Sequence, residues 1–336
     1  MDAQLGLFPG AVAPAPPARV GPARPDPRVF ALADSLPPGL RLGTSSWSFP
    51  GWEGTVYDRA ASQATLARHG LSAYASHPLL RTVCIDRTYY RPVPAAQLRT
   101  YADSVPDDFR FIVKADRAIT SPIDPEGYGV RTPNPRFLDA AHAVREVIEP
   151  ALAGLGAKAG PIVFQFPPIP ASLLRGSARF VERLHRFLDA LPKGPRYAVE
   201  LRTRAFLTDA YAQALEATGA VHCYNVHPAM ASLERQLGLL PPFYQPVLLV
   251  RWMLHDGLTY ESATARYEPF DRIVDDDATS RDTIAVAALD VLVAERDVFI
   301  IANNKAEGSA PLSVANLARR IAEWDRRELA VAAHAQ

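Results

Sequence analysis

The sequence has little of several features that would place it in a specialised class of protein. It contains two cysteines in 336 residues, too few for a disulfide framework or for a zinc site made of cysteines. Its 36 Lys and Arg residues balance 36 Asp and Glu residues, so it lacks the global positive charge of a histone-like protein. No apolar run reaches the roughly 18 residues that a membrane helix needs, and the first residues do not resemble a signal peptide. We therefore expect a cytoplasmic protein with no membrane partner.

Proline is concentrated at the start of the chain. Residues 1–40 hold nine of the 31 prolines and show neither the helical nor the strand period. Proline-rich chain cannot form a hydrogen-bonded ladder and tends to stay extended. We predict a disordered Pro/Ala-rich linker over residues 9–38, followed by one folded domain over residues 39–330.

A short apolar motif, Gln4-Leu5-Gly6-Leu7-Phe8, precedes this linker. A disordered arm offers nothing that buries large apolar side chains, so the motif has the character of a docking peptide. It resembles the pentapeptide with which bacterial proteins bind the DNA polymerase sliding clamp. The resemblance implies clamp binding by residues 1–8, through Gln4, Leu5, Leu7 and Phe8. The alternative is a terminus that docks on its own domain or on nothing.

Strand-like and helix-like segments alternate along the rest of the chain. The apolar runs lie at 40–45, 82–86, 109–115, 161–166, 197–202, 221–226, 247–252 and 298–303, with helical patterns between them. This alternation favours an α/β fold with a parallel sheet, and eight strands are the number that closes into a (β/α)₈ TIM barrel. The alternative is an open, doubly wound sheet. It would normally carry a glycine-rich turn after its first strand, where this chain reads Gly43-Thr44-Ser45-Ser46-Trp47.

Polar residues recur at the ends of these strands. Alternate side chains of a strand point to opposite faces, so the apolar set can face the helices while the polar set points into the barrel. The polar set then meets at the C-terminal mouth, where barrel enzymes keep their active sites. Its predicted members are Asp86, Lys114, Gln165, Glu200, Arg202, Asn225, Arg251 and Asn303.

Positive charge exceeds negative charge in this set, which favours an anionic or phosphate-bearing ligand. We predict Glu200 as a general acid or base, because Lys114 and Arg202 flank it. Lys114 is the second predicted catalytic residue, as a phosphate-binding group or, when desolvated, as a nucleophile. The alternative is a structural layer of ion pairs inside the barrel.

The loops after the strands add further candidates. Trp47 and Trp52 are predicted to form an aromatic rim that stacks on a sugar or a base, although covering the barrel is the more common role of such residues. The loop after the last strand leads into a helix start, whose free N–H groups favour an anion. The substrate-binding candidates from the second and last loops are Tyr90, Arg91, Asn304 and Gly308.

Metal and cofactor motifs are not evident. The eight histidines include no H-E-x-x-H pattern, and the sequence has no P-loop and no G-x-S-x-G elbow. A metal site from His227, His255, Asp86 and Glu200 is conceivable, but isolated histidines usually satisfy local hydrogen bonds. We predict neither a metal nor a cofactor.

Several strand-end segments together resemble the domain-of-unknown-function seventy-two family, also called YecE-like. They are Gly43-Thr44-Ser45 with Trp47 and Gly51-Trp52, Thr88-Tyr89-Tyr90-Arg91, the run from Phe109 to Lys114, Phe164-Gln165-Phe166-Pro167-Pro168, Val199-Glu200-Leu201-Arg202, and Asn303-Asn304 with Gly308 and Ala310. The resemblance covers about 40–325 and implies a TIM barrel, but no established reaction. The chain departs from the family pattern at Cys84, where Glu is usual, and at Met253, where His is usual unless His255 replaces it.

Three functions stay open on the sequence alone. The first is an enzyme, such as a hydrolase or lyase, that acts on a phosphate-containing ligand or nucleic acid and is tethered to the sliding clamp in DNA repair or replication. The second is a small-metabolite enzyme for a sugar or sugar phosphate, with Glu200 as the acid–base group and no DNA role. The third is a non-catalytic clamp-associated binding protein.

Overall fold

Eight parallel strands close into a barrel in the computed structural model of this protein, which describes residues 20–126 and 132–334. Each strand pairs with the next along the chain, and β8 pairs back with β1. The strands are β1 (Leu40–Thr44), β2 (Thr82–Ile85), β3 (Arg110–Lys114), β4 (Ala159–Gln165), β5 (Tyr197–Glu200), β6 (Val221–Val226), β7 (Val247–Trp252) and β8 (Asp297–Ala302). The prediction of a (β/α)₈ TIM barrel is confirmed.

Helices follow the strands and surround the barrel. The α-helices are α1 (Pro27–Asp34), α2 (Gln63–His69), α3 (Leu71–Ala75), α4 (Ala95–Asp103), α5 (Arg117–Thr120), α6 (Ala140–Ala143), α7 (Glu149–Leu155), α8 (Ser177–Asp189), α9 (Asp209–Thr218), α10 (Leu233–Leu239), α11 (Tyr260–Tyr267), α12 (Ala278–Leu292), α13 (Asn304–Glu307) and α14 (Ala310–His334). A π-helical turn, Val144–Ile148, joins α6 to α7. In the part of the chain that the structure describes, none of the helices has the length and apolarity needed to cross a membrane.

The predicted alternation of side chains holds around the barrel. In β5, Ala198 points into the barrel while Val199, like Leu201 just after the strand, packs against the helices. The barrel interior is filled by buried apolar side chains, a group that we call the interior plug. Its members are Cys84, Ile112, Val163, Ala198, Val221, Cys223, Val247, Leu249, Phe299 and Ile301. The barrel is therefore a packed core rather than a pore, and its polar strand ends lie above this plug.

The contact between β1 and β2 depends on a glycine. Gly43 is the register partner of Thr82, and a Cβ atom at Gly43 would overlap the carbonyl oxygen of Thr82. Glycine therefore allows the close backbone approach that joins the two strands.

Residues 20–38 differ from the prediction of a disordered linker over 9–38. Val20 is buried, and the segment that follows it pairs with the chain at 56–58. The N–H of Ala23 donates to the carbonyl of Val56 at 2.9 Å, and the N–H of Asp58 donates to the carbonyl of Gly21 at 3.0 Å. The ordered domain thus begins earlier than the predicted residue 39. The predicted clamp-binding residues 4–8 lie outside the described residues.

Helix α1 explains why this segment is ordered. The Asp26 side chain accepts from the N–H of Arg28, and Pro27 occupies the first turn, where a missing N–H has no consequence. Apolar side chains at helical spacing then cover the hydrophobic core, and they are Val29, Leu32, Ala33 and Leu36. Three of the prolines that suggested disorder therefore belong to an extended lead and a helix start.

Candidate functional site

Seven of the predicted strand-end residues lie together above the interior plug. We call them the charge layer: Asp86, Lys114, Gln165, Glu200, Arg202, Asn225 and Arg251. The strand registers place them there, because Gln165 pairs with Glu200 and Asn225 pairs with Arg251. The C-terminal mouth of the barrel thus carries a buried layer of charged and polar groups.

Arg251 lies at the centre of the charge layer and is fully buried. Its Nη1 atom donates to Glu200 Oε2 at 2.5 Å, and its Nη2 atom donates to both carboxylate oxygens of Asp86 at 3.1 Å. Nη1 also lies 3.4 Å from Gln165 Oε1. One guanidinium therefore joins β2, β4 and β5 to β7 across the barrel.

Glu200 is ionised in this environment. Burial disfavours its charged form, but Arg202, Arg251 and Lys114 outweigh that effect and lower the pKa of Glu200 to about 2. A carboxyl group with this pKa carries no proton at neutral pH. The geometry favours Glu200 as the anion that holds two arginines in place, rather than as a proton donor.

Arg202 has an unusual position among the charged groups. Its side chain is 3% exposed and forms an ion pair with Glu200 Oε1. This ion pair is made by its Nη2 atom, and the Nε and Nη1 atoms make no hydrogen bond with any group in the described residues. Buried donors normally have acceptors, so this guanidinium is short of them.

Lys114 is also buried, at the end of β3. Its Nζ atom lies 3.8 Å from the centroid of the Tyr89 ring, over the ring face. Burial is the main effect that lowers the pKa of Lys114, and Arg251 adds to it while Asp86 and Glu200 oppose it. Tyr89 was not among the predicted site residues, because its position depends on the 3₁₀ turn Asp86–Tyr89 that follows β2.

Two cavities flank the charge layer. The first has a volume of about 740 Å³, and its lining includes Cys84, Asp86 and Trp47. The second has a volume of about 630 Å³ and is lined in part by Asn225 and His227. Both volumes are in the range of small-molecule sites.

His227 is a mouth residue whose present role the sequence did not reveal. Its Nδ1 atom accepts from the N–H of Ala229 at 3.0 Å, and its ring packs on Tyr260 with 5.7 Å between centroids. Burial, followed by the nearby Arg202, lowers the pKa of His227 to about 4, so the imidazole is neutral at pH 7 and carries its proton on Nε2. From the sequence, this histidine is a candidate only for a metal ligand, since no spacing signal marks a single histidine in a loop.

Comparison with known proteins assigns the chain to a family. Residues 41–335 match the family model described as "Protein of unknown function DUF72". The chain belongs to the DUF72 family. The resemblance noted in the sequence is thereby confirmed, over nearly the whole barrel.

Solved DUF72 structures have the same fold. A DUF72 family protein from Enterococcus faecalis V583 superposes with a TM-score of 0.59 at 18% identity, covering 84% of this chain and 95% of the other. A DUF72 family protein from Thermotoga maritima MSB8 gives a TM-score of 0.57 at 18% identity, covering 83% of this chain and 98% of the other. At these identities the likeness shows the fold alone. No protein with a curated description matches this chain in sequence.

Two of the DUF72 motif residues hold loops together. Trp52, predicted for the aromatic rim, is 1% exposed, and its Nε1 atom donates to Asn304 Oδ1 at 3.1 Å. Asn304 Oδ1 also accepts from the N–H of Ala310 at 2.8 Å. These contacts fix the loop after β8 to the loop after β1. Trp47 is buried as well, with its ring edge against Tyr101.

The remaining predicted residues lie around the mouth. Asn303 donates from Nδ2 to Ser45 Oγ at 2.8 Å and caps α13 by accepting from the N–H of Lys305. Gly308 has a φ of 121°, and a side chain there would overlap the carbonyl oxygen of Arg272. Tyr90 and Arg91 are exposed on the loop after β2. None of these four residues has a hydrogen bond or an ion pair with the charge layer among the described residues.

The departures from the family pattern fall in the interior plug and directly after β7. Cys84 belongs to the interior plug, and its Sγ atom donates to Asp86 Oδ1 at 2.9 Å. Met253 is buried, whereas His255 reaches the lining of the second cavity. Within the described ranges, no three His, Cys, Asp or Glu side chains group together as metal ligands.

Proposed function

We propose that this DUF72 protein is an enzyme that binds a small, phosphate-bearing substrate at the C-terminal mouth of its barrel. The observation that carries the proposal is the buried guanidinium of Arg202: its Nη2 atom pairs with Glu200, but its Nε and Nη1 atoms lack hydrogen-bond acceptors in the described structure. A phosphate group supplies such acceptors in the planar arrangement that arginine prefers. Arg251 is already occupied by Glu200 and Asp86, so it orders the layer instead.

A purely structural ion-pair layer fits the geometry less well. Such a layer is stable when its buried polar groups are all partnered. Here Asn225 Oδ1 and the Nε and Nη1 atoms of Arg202 are buried without hydrogen bonds to the described residues, and Lys114 contacts an aromatic ring in place of a carboxylate. These missing hydrogen-bond partners support a ligand site.

The burial of the cations favours a small metabolite, such as a sugar phosphate, over nucleic acid. Lys114, Arg202 and Arg251 are each at most 7% exposed. Proteins that bind nucleic acid present exposed cations to a row of phosphates, and their affinity falls steeply with salt. Tight, salt-dependent binding of DNA by this protein would contradict the small-molecule proposal.

The test is a comparison of phosphate binding by matched arginine variants. A ligand that binds the native state raises its melting temperature. We expect inorganic phosphate or a set of sugar phosphates to raise the melting temperature of the wild-type protein. In R202Q, affinity should fall by about tenfold or more, since a hydrogen bond to a charged group contributes about 1.5–3 kcal/mol.

The control is R186Q, which changes an arginine on α8 whose side chain is 68% exposed. It should bind phosphate compounds as the wild type does. Absence of stabilisation by any compound of the set, or full stabilisation of a folded R202Q variant, would reject the proposal.

A further inference from the structure

Lysine is rare in this chain. The sequence has four lysines, at positions 114, 158, 193 and 305, against 32 arginines. Arginine serves nearly every position that needs a cation, including two positions of the charge layer. A lysine in the same layer therefore suggests a role that arginine cannot fill.

Two of the lysines have evident structural roles. Lys158 Nζ donates to the carbonyls of Ala102 and Val105, near the end of α4. Lys193 forms an exposed ion pair with Asp189, four residues earlier. Neither lysine lies at the barrel mouth.

Lys114 differs from these two in its contacts. Its side chain has no hydrogen bond and no ion pair with the described residues, and its contact is the face of Tyr89. Burial and Arg251 lower its pKa. An arginine stays charged at any ordinary pH, whereas a desolvated lysine can release its proton and become a nucleophile.

The first cavity lies on the neighbouring strand β2, which pairs with the strand that carries this amine. Cys84 and Asp86 both act electrostatically on Lys114, and both line the first cavity of about 740 Å³. Arg202 pairs with Glu200, and Arg251 joins Glu200 to Asp86, which lies beside Lys114 at the ends of the paired strands β2 and β3, so the amine and the guanidinium belong to one layer.

We propose that Lys114 is a catalytic residue that forms a Schiff base with a phosphate-bearing aldehyde or ketone, whose phosphate lies on Arg202. This inference rests on the proposed function and names its substrate class. In the step, the amine nitrogen attacks the carbonyl carbon and a carbon–nitrogen bond forms. Both amine hydrogens pass to the carbonyl oxygen, which leaves as water, so the products are an imine and water and nothing is oxidised or reduced.

Reductive trapping tests this step on the full chain. The protein is incubated with dihydroxyacetone phosphate and sodium cyanoborohydride, whose hydride reduces an imine to a stable secondary amine. Intact mass and peptide mapping then locate the adduct, and the four lysines and the terminal amine leave few positions to resolve. We expect labelling at Lys114 at least about tenfold faster than at Lys193, and inorganic phosphate should slow it.

Variants and a second probe make the result decisive. K114R should lose the fast adduct, while K193R should keep it. Unphosphorylated dihydroxyacetone should label Lys114 far more slowly than the phosphate ester. The same melting assay used for R202Q shows that K114R is folded.

The outcomes separate the two proposals. Phosphate stabilisation that depends on Arg202, without a fast adduct at Lys114, overturns the Schiff-base inference and leaves the anion site standing. An adduct at Lys114 that is indifferent to the phosphate group of the probe also overturns the inference. Failure of phosphate to stabilise the wild type removes the proposed function itself.

Discussion

At the scale of single residues, the mouth depends on one carboxylate between two arginines. Glu200 is fully buried and contacts both Arg202 and Arg251. A buried ion pair adds little net stability when intact, but removing one member leaves an uncompensated buried charge. Loss of Glu200 should therefore destabilise the fold.

We expect E200Q to lower the free energy of unfolding by about 3–5 kcal/mol, because the neutral amide leaves Arg202 and Arg251 with less opposing charge. Urea denaturation at pH 7 measures the change. E182Q is the matched control, since Glu182 forms an exposed pair with Arg186 on α8 and its loss should change stability by about 0.5 kcal/mol or less. A loss below about 1 kcal/mol in E200Q would contradict the assignment.

The pH dependence of stability reports on the same carboxylate. The pKa of Glu200 falls from 4.5 to about 2 on folding, so the folded state favours the ionised form. Its contribution is complete above about pH 4.5 and is lost as the pH falls towards about 2. The difference in unfolding free energy between wild type and E200Q should therefore shrink over this range, and a difference that is constant with pH would be evidence against the low pKa.

The strand period was sufficient to predict the charge layer, because the side-chain direction at Lys114, Glu200 and Arg251 follows from counting along a strand. It was not sufficient for Tyr89 and His227. These residues lie in turns beyond the strand ends, where no period applies and the backbone path decides which side chain faces the mouth. Trp52 shows the same limit. It was predicted for an aromatic rim, but it is buried in the loop after β1, where the strand period does not decide the side-chain direction.

At the scale of elements, helix α10 is attached to β6 by one amide. Gln236 is fully buried; its Nε2 atom donates to the carbonyls of Asn225 and Ala231 at 2.8 Å. Its Oε1 atom accepts from the N–H of Asn225 at 3.0 Å and lies 3.1 Å from His222 Nε2. The amide therefore fixes the backbone of the strand end that carries Asn225.

We expect Q236L to lower the free energy of unfolding by about 3 kcal/mol, because the apolar side chain leaves the N–H and the carbonyl of Asn225 buried without partners. Chemical denaturation followed by circular dichroism gives the value. Q213L, at an exposed position of α9, should differ from wild type by about 0.5 kcal/mol or less. Equal stability of the two variants would show that water replaces the amide.

Helix α1 shows that amino-acid composition can give the wrong prediction for a single element. The proline content of residues 1–40 predicted disorder, yet the spacing of Val29, Leu32, Ala33 and Leu36 is that of an amphipathic helix. The pattern is short, and its stability comes from packing on the rest of the domain, including α14, which the local sequence cannot show.

At the scale of the whole molecule, partner choice is a question separate from the barrel. The motif Gln4-Leu5-Gly6-Leu7-Phe8 lies outside the described residues, so the sliding-clamp partner stays a prediction from the sequence. The closed barrel and the DUF72 family model say nothing about it.

We expect the full chain to bind a purified bacterial sliding clamp with an affinity in about the micromolar range, as a short docking peptide does. Calorimetry should show that binding is lost in a double variant, L7A with F8A, because the apolar anchor is removed. V12A, outside the motif, should bind normally. Unchanged binding of the double variant would assign the terminal motif no role.

The interior plug also determines how a ligand enters and leaves the barrel. Apolar side chains from several strands block the axis below the charge layer, so a molecule that reaches the mouth must leave by the way it came. In the proposed enzyme, a product that is still bound at the mouth would prevent the next substrate from binding. For the proposed enzyme, substrate and product would share this one opening, so inhibition by the product should be competitive with the substrate.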